Sequence, residues 1–64
     1  MNTKTIKVVF CANTSWYLYN FRKTTIKAFV VAGFDVHCIA PRDKYSEKLE
    51  SLGTSFSSFK LHPN

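Results

Sequence analysis

Two short apolar runs, one helix-length apart, constrain this chain more than anything else in it. Residues 6–12 read Ile6-Lys7-Val8-Val9-Phe10-Cys11-Ala12 and residues 34–40 read Phe34-Asp35-Val36-His37-Cys38-Ile39-Ala40. The first is rich in β-branched residues and nearly continuous in apolar character, which is how a strand covered on both faces reads. The second reads as another strand. Between them Leu18, Phe21, Thr25, Ala28, Phe29 and Ala32 recur at three- and four-residue steps, with Ile26 and Val30 beside them. Thr24, Lys23 and Lys27 fall toward the other side. This spacing predicts an amphipathic helix over residues 17–32. Thr14 and Ser15 suit its N-cap, and Gly33 its C′ position.

The pattern then repeats in weaker form. Pro41 cannot donate to a ladder and ends the second strand. Asp43 suits the N-cap of a short helix over residues 44–52, with Tyr45, Leu49 and Leu52 as its stripe and Gly53 as its stop. Residues 54–61 form a third strand anchored by Phe56, Phe59 and Leu61. The order β-α-β-α-β with right-handed crossovers predicts an α/β fold with three parallel strands in spatial order 3-2-1 and both helices on one face. The opposite face should be apolar, drawing on Val8, Val9, Phe10 and Cys11. It and the free edge of strand one are left uncovered. A doubly wound sheet covers them with later elements, so residues 1–64 read as a partial N-terminal Rossmann-like domain.

Composition narrows the function classes. A chain of 64 residues is one domain or less, and at this size only about 60% of the unfolded surface is buried on folding. Hydrophobic residues at 45% exclude a disordered chain. Nine Lys and Arg against four Asp and Glu give a net charge of +5, scattered rather than clustered. Most aromatics fall at core positions, so no alternating basic and aromatic stripe of a nucleic-acid binder forms. Cys11 and Cys38 sit in apolar runs, where a free cysteine behaves as a small hydrophobe, and they suggest a reducing, cytoplasmic setting. The first apolar run is too short for a signal peptide or a membrane span.

Ligands of parallel sheets bind beyond the carboxyl ends of the strands. Here those positions hold residues 13–16, 41–45 and 62–64. They contain no G-x-G-x-x-G, no P-loop and no cluster of acids, so neither a cofactor nor a metal is expected. Asn13, Thr14 and Ser15 offer side-chain hydrogen bonds beside the N–H groups of a helix start. That suits a polyhydroxyl or phosphate-bearing ligand, and it equally suits capping alone. Trp16 and Tyr19 suit a cover of the helix start against the sheet. Trp16 and Tyr17, with basic residues nearby, also suit a membrane interface. Arg22, one turn into the helix, opposes the helix dipole and points to an anionic ligand or a carboxylate elsewhere. His37, in mid-strand, reads as structural.

Three blocks carry a resemblance: N-T-S-W-Y-x-x-N-F-R from Asn13, A-G-x-x-V-H-x-I-A-P from Ala32, and Y-S-x-x-L-x-x-L-G from Tyr45. Together they resemble the N-terminus of bacterial glycosyltransferases of the GT-B fold. These are the family-4-like, retaining sugar transferases of capsule and O-antigen synthesis. The resemblance implies a two-domain enzyme that moves a sugar from a nucleotide-sugar to a glycan or lipid-linked acceptor. It implies that Asn13, Thr14 and Ser15 line the cleft, that Trp16 and Tyr17 flank the acceptor side, and that Asn20 and Arg22 belong to the same block. The glycine pair that many relatives carry after strand one is missing here. The donor would be held by a C-terminal domain outside this chain, along with most catalytic residues, which stay unknown. A chain of this length by itself should be inactive, and its open edge should make it a homodimer. Two alternatives use the same residues: a segment of a GT-B-fold sugar-nucleotide epimerase, and a stand-alone basic binding module.

Overall fold

A computed structural model describes residues 6–59. In chain order the elements are β1 (Lys7–Cys11), α1 (Ser15–Val31), β2 (Asp35–Ile39), α2 (Ser46–Glu50) and β3 (Ser55–Ser57). The three strands form one parallel sheet in the order β1-β2-β3, the expected order read from its other edge. The expected third strand is cut to three residues, and Leu61 lies outside the described residues, as do residues 62–64.

Strand register decides what each face carries. Val8 pairs with Val36, Phe10 with Cys38, and Cys38 with Phe56. Val36 and Cys38 are buried beneath the helices, and Phe10 and Phe56 pack against the same core. Successive side chains point to opposite faces, so Lys7, Val9, Cys11, Asp35, His37, Ile39, Ser55 and Ser57 share the other one. This corrects the expectation of an apolar open face. The period of two splits the continuous apolar run, sending Val8 and Phe10 toward the helices. Five of these eight residues are polar. Lys7 Nζ lies 3.7 Å from Asp35 Oδ2. His37 bridges two serines, with Nδ1 2.5 Å from Ser55 Oγ and Nε2 2.9 Å from Ser57 Oγ. That clip ties β2 to β3 and gives His37 the structural role its mid-strand position suggested.

The helix ends are set by local chemistry. Thr14 is extended (φ −147°, ψ 148°), and its Oγ1 accepts a hydrogen bond from Tyr17 N at 3.0 Å. At the other end Phe34 N donates to Phe29 O and Gly33 N to Val30 O, the paired bonds of a Schellman motif. Gly33 takes φ 97°, which a side chain would oppose. The Phe29 and Phe34 rings meet edge to face at 5.4 Å, the apolar contact that goes with this motif. Gly53 ends the α2 region at φ 105°, where a Cβ would meet Val30 Cγ1 at 2.8 Å. The core is Leu18 and Ile26 of α1, Val36, Cys38 and Ala40 of the β2 region, and Leu49 of α2. Each large aliphatic side chain fully buried here stabilises the fold by roughly 1.5–3 kcal/mol.

α2 begins later than expected. Asp43 Oδ1 accepts from Tyr45 N at 2.7 Å, while Asp43 N donates to Ser46 Oγ at 2.9 Å and Ser46 N donates to Asp43 O. These bonds hold Lys44 and Tyr45 in a turn, so the helix starts at Ser46 and has no side-chain cap.

Candidate functional site

The loop after β1 and the loop after β2 meet at the start of α1. Ser15 makes the junction. It is fully buried, donating from Oγ to Pro41 O at 2.8 Å and sharing a hydrogen bond with Ser46 Oγ at 3.0 Å. Asp43 completes it, because its second oxygen, Oδ2, accepts from Trp16 N at 3.3 Å. One carboxylate thus serves the N-terminus of α1 and the turn before α2. Its charge favours the positive end of the α1 dipole.

This arrangement changes what the helix start can bind. The N–H groups of Trp16 and Tyr17 are taken by Asp43 and Thr14, and the carboxylate places a negative charge where a phosphate would sit. A phosphate on these N–H groups would have to displace Asp43. A neutral, hydroxyl-rich ligand meets no such conflict.

Beside this junction is a recess of about 520 Å³, lined by Cys11, Ala12, Asn13, Thr14, Trp16 and Tyr17. Four of the expected site residues therefore share one wall: Asn13, Thr14, Trp16 and Tyr17. The other three are elsewhere. Ser15 faces inward into the junction. Asn20 donates from Nδ2 to Trp16 O at 2.9 Å and braces the first turn. Arg22 lies over the Tyr17 ring at 5.6 Å, behind the recess. Among the described residues Arg22 has no carboxylate within ion-pair distance, the one such pair being Lys7 with Asp35.

The lining offers binding chemistry. The Asn13 amide supplies two donors and an acceptor, Trp16 an indole N–H and an aromatic face, and Tyr17 a phenol. Trp16 and Tyr17 each lie against Phe21, at 5.4 Å and 5.3 Å between ring centroids, which fixes their planes. A few placed polar groups on an aromatic wall suit a small polar molecule presenting both hydroxyls and C–H faces. Among the described residues no cluster of His, Cys, Asp or Glu could hold a metal ion. No helix among them is long and apolar enough to cross a membrane.

Three residues of the site carry no ligand signal of their own in the sequence. Cys11 and Ala12 read as strand, although the end of a strand always borders the ligand position. Phe21 reads as core, yet it is exposed and buttresses both aromatics. Its spacing of four from Tyr17 and five from Trp16 was the available signal.

Comparison of the chain with protein-family models, with curated proteins and with solved structures gives no match.

Proposed function

We propose that this chain is the acceptor-side, N-terminal β-α-β-α-β segment of a Rossmann-like domain in a GT-B-fold glycosyltransferase. The enzyme would move a sugar from a nucleotide-sugar to a glycan or lipid-linked acceptor of cell-surface polysaccharide synthesis, in the cytoplasm at the inner face of the membrane. One observation carries this reading: the three blocks behind the resemblance converge on a single junction. Ser15 of the first binds Pro41 of the second and Ser46 of the third. The junction turns Asn13, Trp16 and Tyr17 outward beyond the carboxyl end of β1, where a parallel sheet presents its ligands.

On this reading the residues divide the work. Asn13 hydrogen-bonds hydroxyls of the acceptor sugar, while Trp16 and Tyr17 supply apolar faces against which its ring lies. Thr14, Ser15 and Asn20 position that wall. Arg22, held over Tyr17, meets an acidic group of the acceptor or of the donor-binding domain. The nucleotide-sugar is held by that second domain. The Asp43 carboxylate at the α1 N-terminus supports this division, because it disfavours donor phosphate there. Much of the rate in such a transfer comes from holding both substrates in register.

Amide-resolved NMR of the chain during titration tests the assignment. With neutral oligosaccharides the shifts should be confined to Asn13, Thr14, Trp16, Tyr17 and their neighbours. With a uridine diphosphate sugar, little should move at the start of α1. Strong nucleotide-sugar shifts at Ser15 to Tyr17, without saccharide shifts, would overturn the reading.

A further inference from the structure

Two lysines of α1 stand where the helix gains nothing from them. A helix is stabilised by acids in its first turn and bases in its last, and α1 has neither. Lys23 and Lys27 lie in mid-helix, one turn apart, where like charges repel and weaken the helix. Among the described residues neither has a carboxylate within ion-pair distance, nor has Lys48 of α2, the one such pair being Lys7 with Asp35. Lys23 and Lys48 instead converge from the two helices on the Tyr19 ring, with Nζ 4.7 Å and 5.8 Å from its centroid.

These lysines border an apolar groove of about 700 Å³. Tyr19, Lys23, Lys27 and Val31 form one i, i+4 row along it, Thr24 and Ala28 lie in the row beside, and Leu52, just beyond α2, completes the lining. Val31 is 76% exposed, so the apolar floor is open to an occupant. From residue 19 to residue 31 the row runs about 18 Å, a little over three helical turns.

Length and charge together select the occupant. An open groove, apolar at Ala28, Val31 and Leu52 and cationic beside that floor, is the complement of a helix whose apolar stripe is flanked by acids. Acids one turn apart on such a helix match the spacing of Lys23 and Lys27, whose stems can lie on the floor while their ammonium groups reach the acids. A second copy of this chain does not supply that helix. Its α1 holds no acid, its α2 is five residues long, and each copy carries a net charge of +5.

We infer that the groove between α1 and α2 is a docking site for an acidic amphipathic helix of a partner protein, about three turns long. The apolar stripe of that helix rests on Ala28, Val31 and Leu52. Its acids meet Lys23 and Lys27, with Lys48 at the Tyr19 end. The groove shares no residue with the recess beyond β1, and the inference does not depend on the glycosyltransferase reading.

The probe is a synthetic helix of about fourteen residues with a leucine stripe flanked by glutamates. Its binding to the 64-residue chain is followed by amide-resolved NMR at low ionic strength. One control peptide has the same composition in scrambled order, and another keeps the stripe with lysine in place of glutamate. The acidic helix should bind saturably, with shifts concentrated between Tyr19 and Val31 and around Leu52. Each control should bind at least about tenfold more weakly, having lost either the apolar match or the charge match. Lys23→Gln with Lys27→Gln should weaken the acidic helix about fivefold, the effect of two exposed ion pairs. Val31→Asp should weaken it about tenfold or more. Lys7→Gln removes the same charge from the open sheet face and should change binding less than about twofold. The amide spectrum of each variant shows whether its fold is kept. Four results would overturn the inference. The scrambled peptide could bind equally well, which makes the contact one of net charge alone. The shifts could centre on the recess or on the open sheet face. The groove amides could move with protein concentration before any peptide is added, which assigns the groove to a second copy. The acidic helix could fail to bind, and decanoate moving the same amides would then assign the groove to a small anionic amphiphile.

Discussion

Ser15 is the residue whose environment says most about how the chain is put together. Its hydroxyl is enclosed and satisfied from two segments 26 and 31 positions away. Ser15→Ala leaves Ser46 short of a partner inside the fold and should cost about 1–3 kcal/mol, the penalty for an unsatisfied buried polar group. Thr14→Ala removes only the N-cap and should cost about 1 kcal/mol. Urea titration of the two variants checks the ranking. Sequence reasoning had Ser15 as a cap or a ligand group, because a serine hydroxyl at a helix start looks the same in either role. What separates them is a partner far along the chain, which no local pattern reports. The cysteines make a second test at this scale. Cys38 is buried and its thiol is pushed up by desolvation, partly opposed by a hydrogen bond with Thr54, whereas Cys11 is exposed. A thiol reagent near neutral pH should therefore modify one cysteine in the folded chain and both after denaturation. Because the folded state holds the Cys38 proton more tightly than the unfolded one, its contribution to stability is complete below the ordinary thiol range. That contribution falls away as the pH rises through it. Cys38→Ala should flatten that alkaline decline.

At the level of elements, the two glycines that end the helical segments differ in what they tolerate. Both need positive φ, but Gly53 also lies under Val30. Gly33→Ala should cost on the order of 1–2 kcal/mol from backbone conformation alone. Gly53→Ala should cost more, because overpacking typically adds about 1–3 kcal/mol. Val30→Ala should recover part of the loss in the double variant, and thermal melts of the four chains reveal that coupling. The glycines and the Thr14 cap were legible in the sequence, since each is a local signal with one physical meaning; the α1 stripe was legible only in part, because Phe21, Thr25, Ala28 and Ala32 are exposed and Leu18 and Ile26 carry the buried face. The start of α2 was not. Asp43 looks like a cap for the next helix, and it became the anion at the previous one because the sheet brings residues 13–16 and 41–46 together. The exposure of Phe21 and Val31 on α1 was hidden for a related reason. Apolar residues on both sides of a helix read as a fuller core until the sheet shows which side is covered.

For the whole molecule, the described residues leave β1 paired on one side only, with Val9 and Cys11 exposed beside the open edge. An unpaired edge of this kind invites strand addition. We predict that the 64-residue chain sediments as a dimer at micromolar concentration, and that Val9→Lys on the edge strand shifts it to monomer. A wild-type monomer with a cooperative melt would argue against an incomplete sheet. We also predict that this chain alone transfers no sugar from any nucleotide-sugar, since the proposed donor site lies in another domain. The α/β order of elements was readable from the two apolar runs and the helix between them. The polar character of the open face was not, because it depends on how an alternating side-chain direction divides a run that looks uniform. The most direct test of the central claim is a transfer assay on a chimera. Residues 6–59 replace the matching β-α-β-α-β unit of a GT-B glycosyltransferase of polysaccharide synthesis, and the product is assayed for sugar transfer across a panel of acceptors. The account predicts a folded enzyme that keeps its donor, changes its acceptor preference, and loses at least about tenfold in kcat/KM, on the order of 1.4 kcal/mol, when Arg22 or Trp16 becomes alanine. Lys27→Ala should have little effect in the same assay. A folded chimera with no transfer to any acceptor, or one indifferent to Arg22 and Trp16, would contradict it.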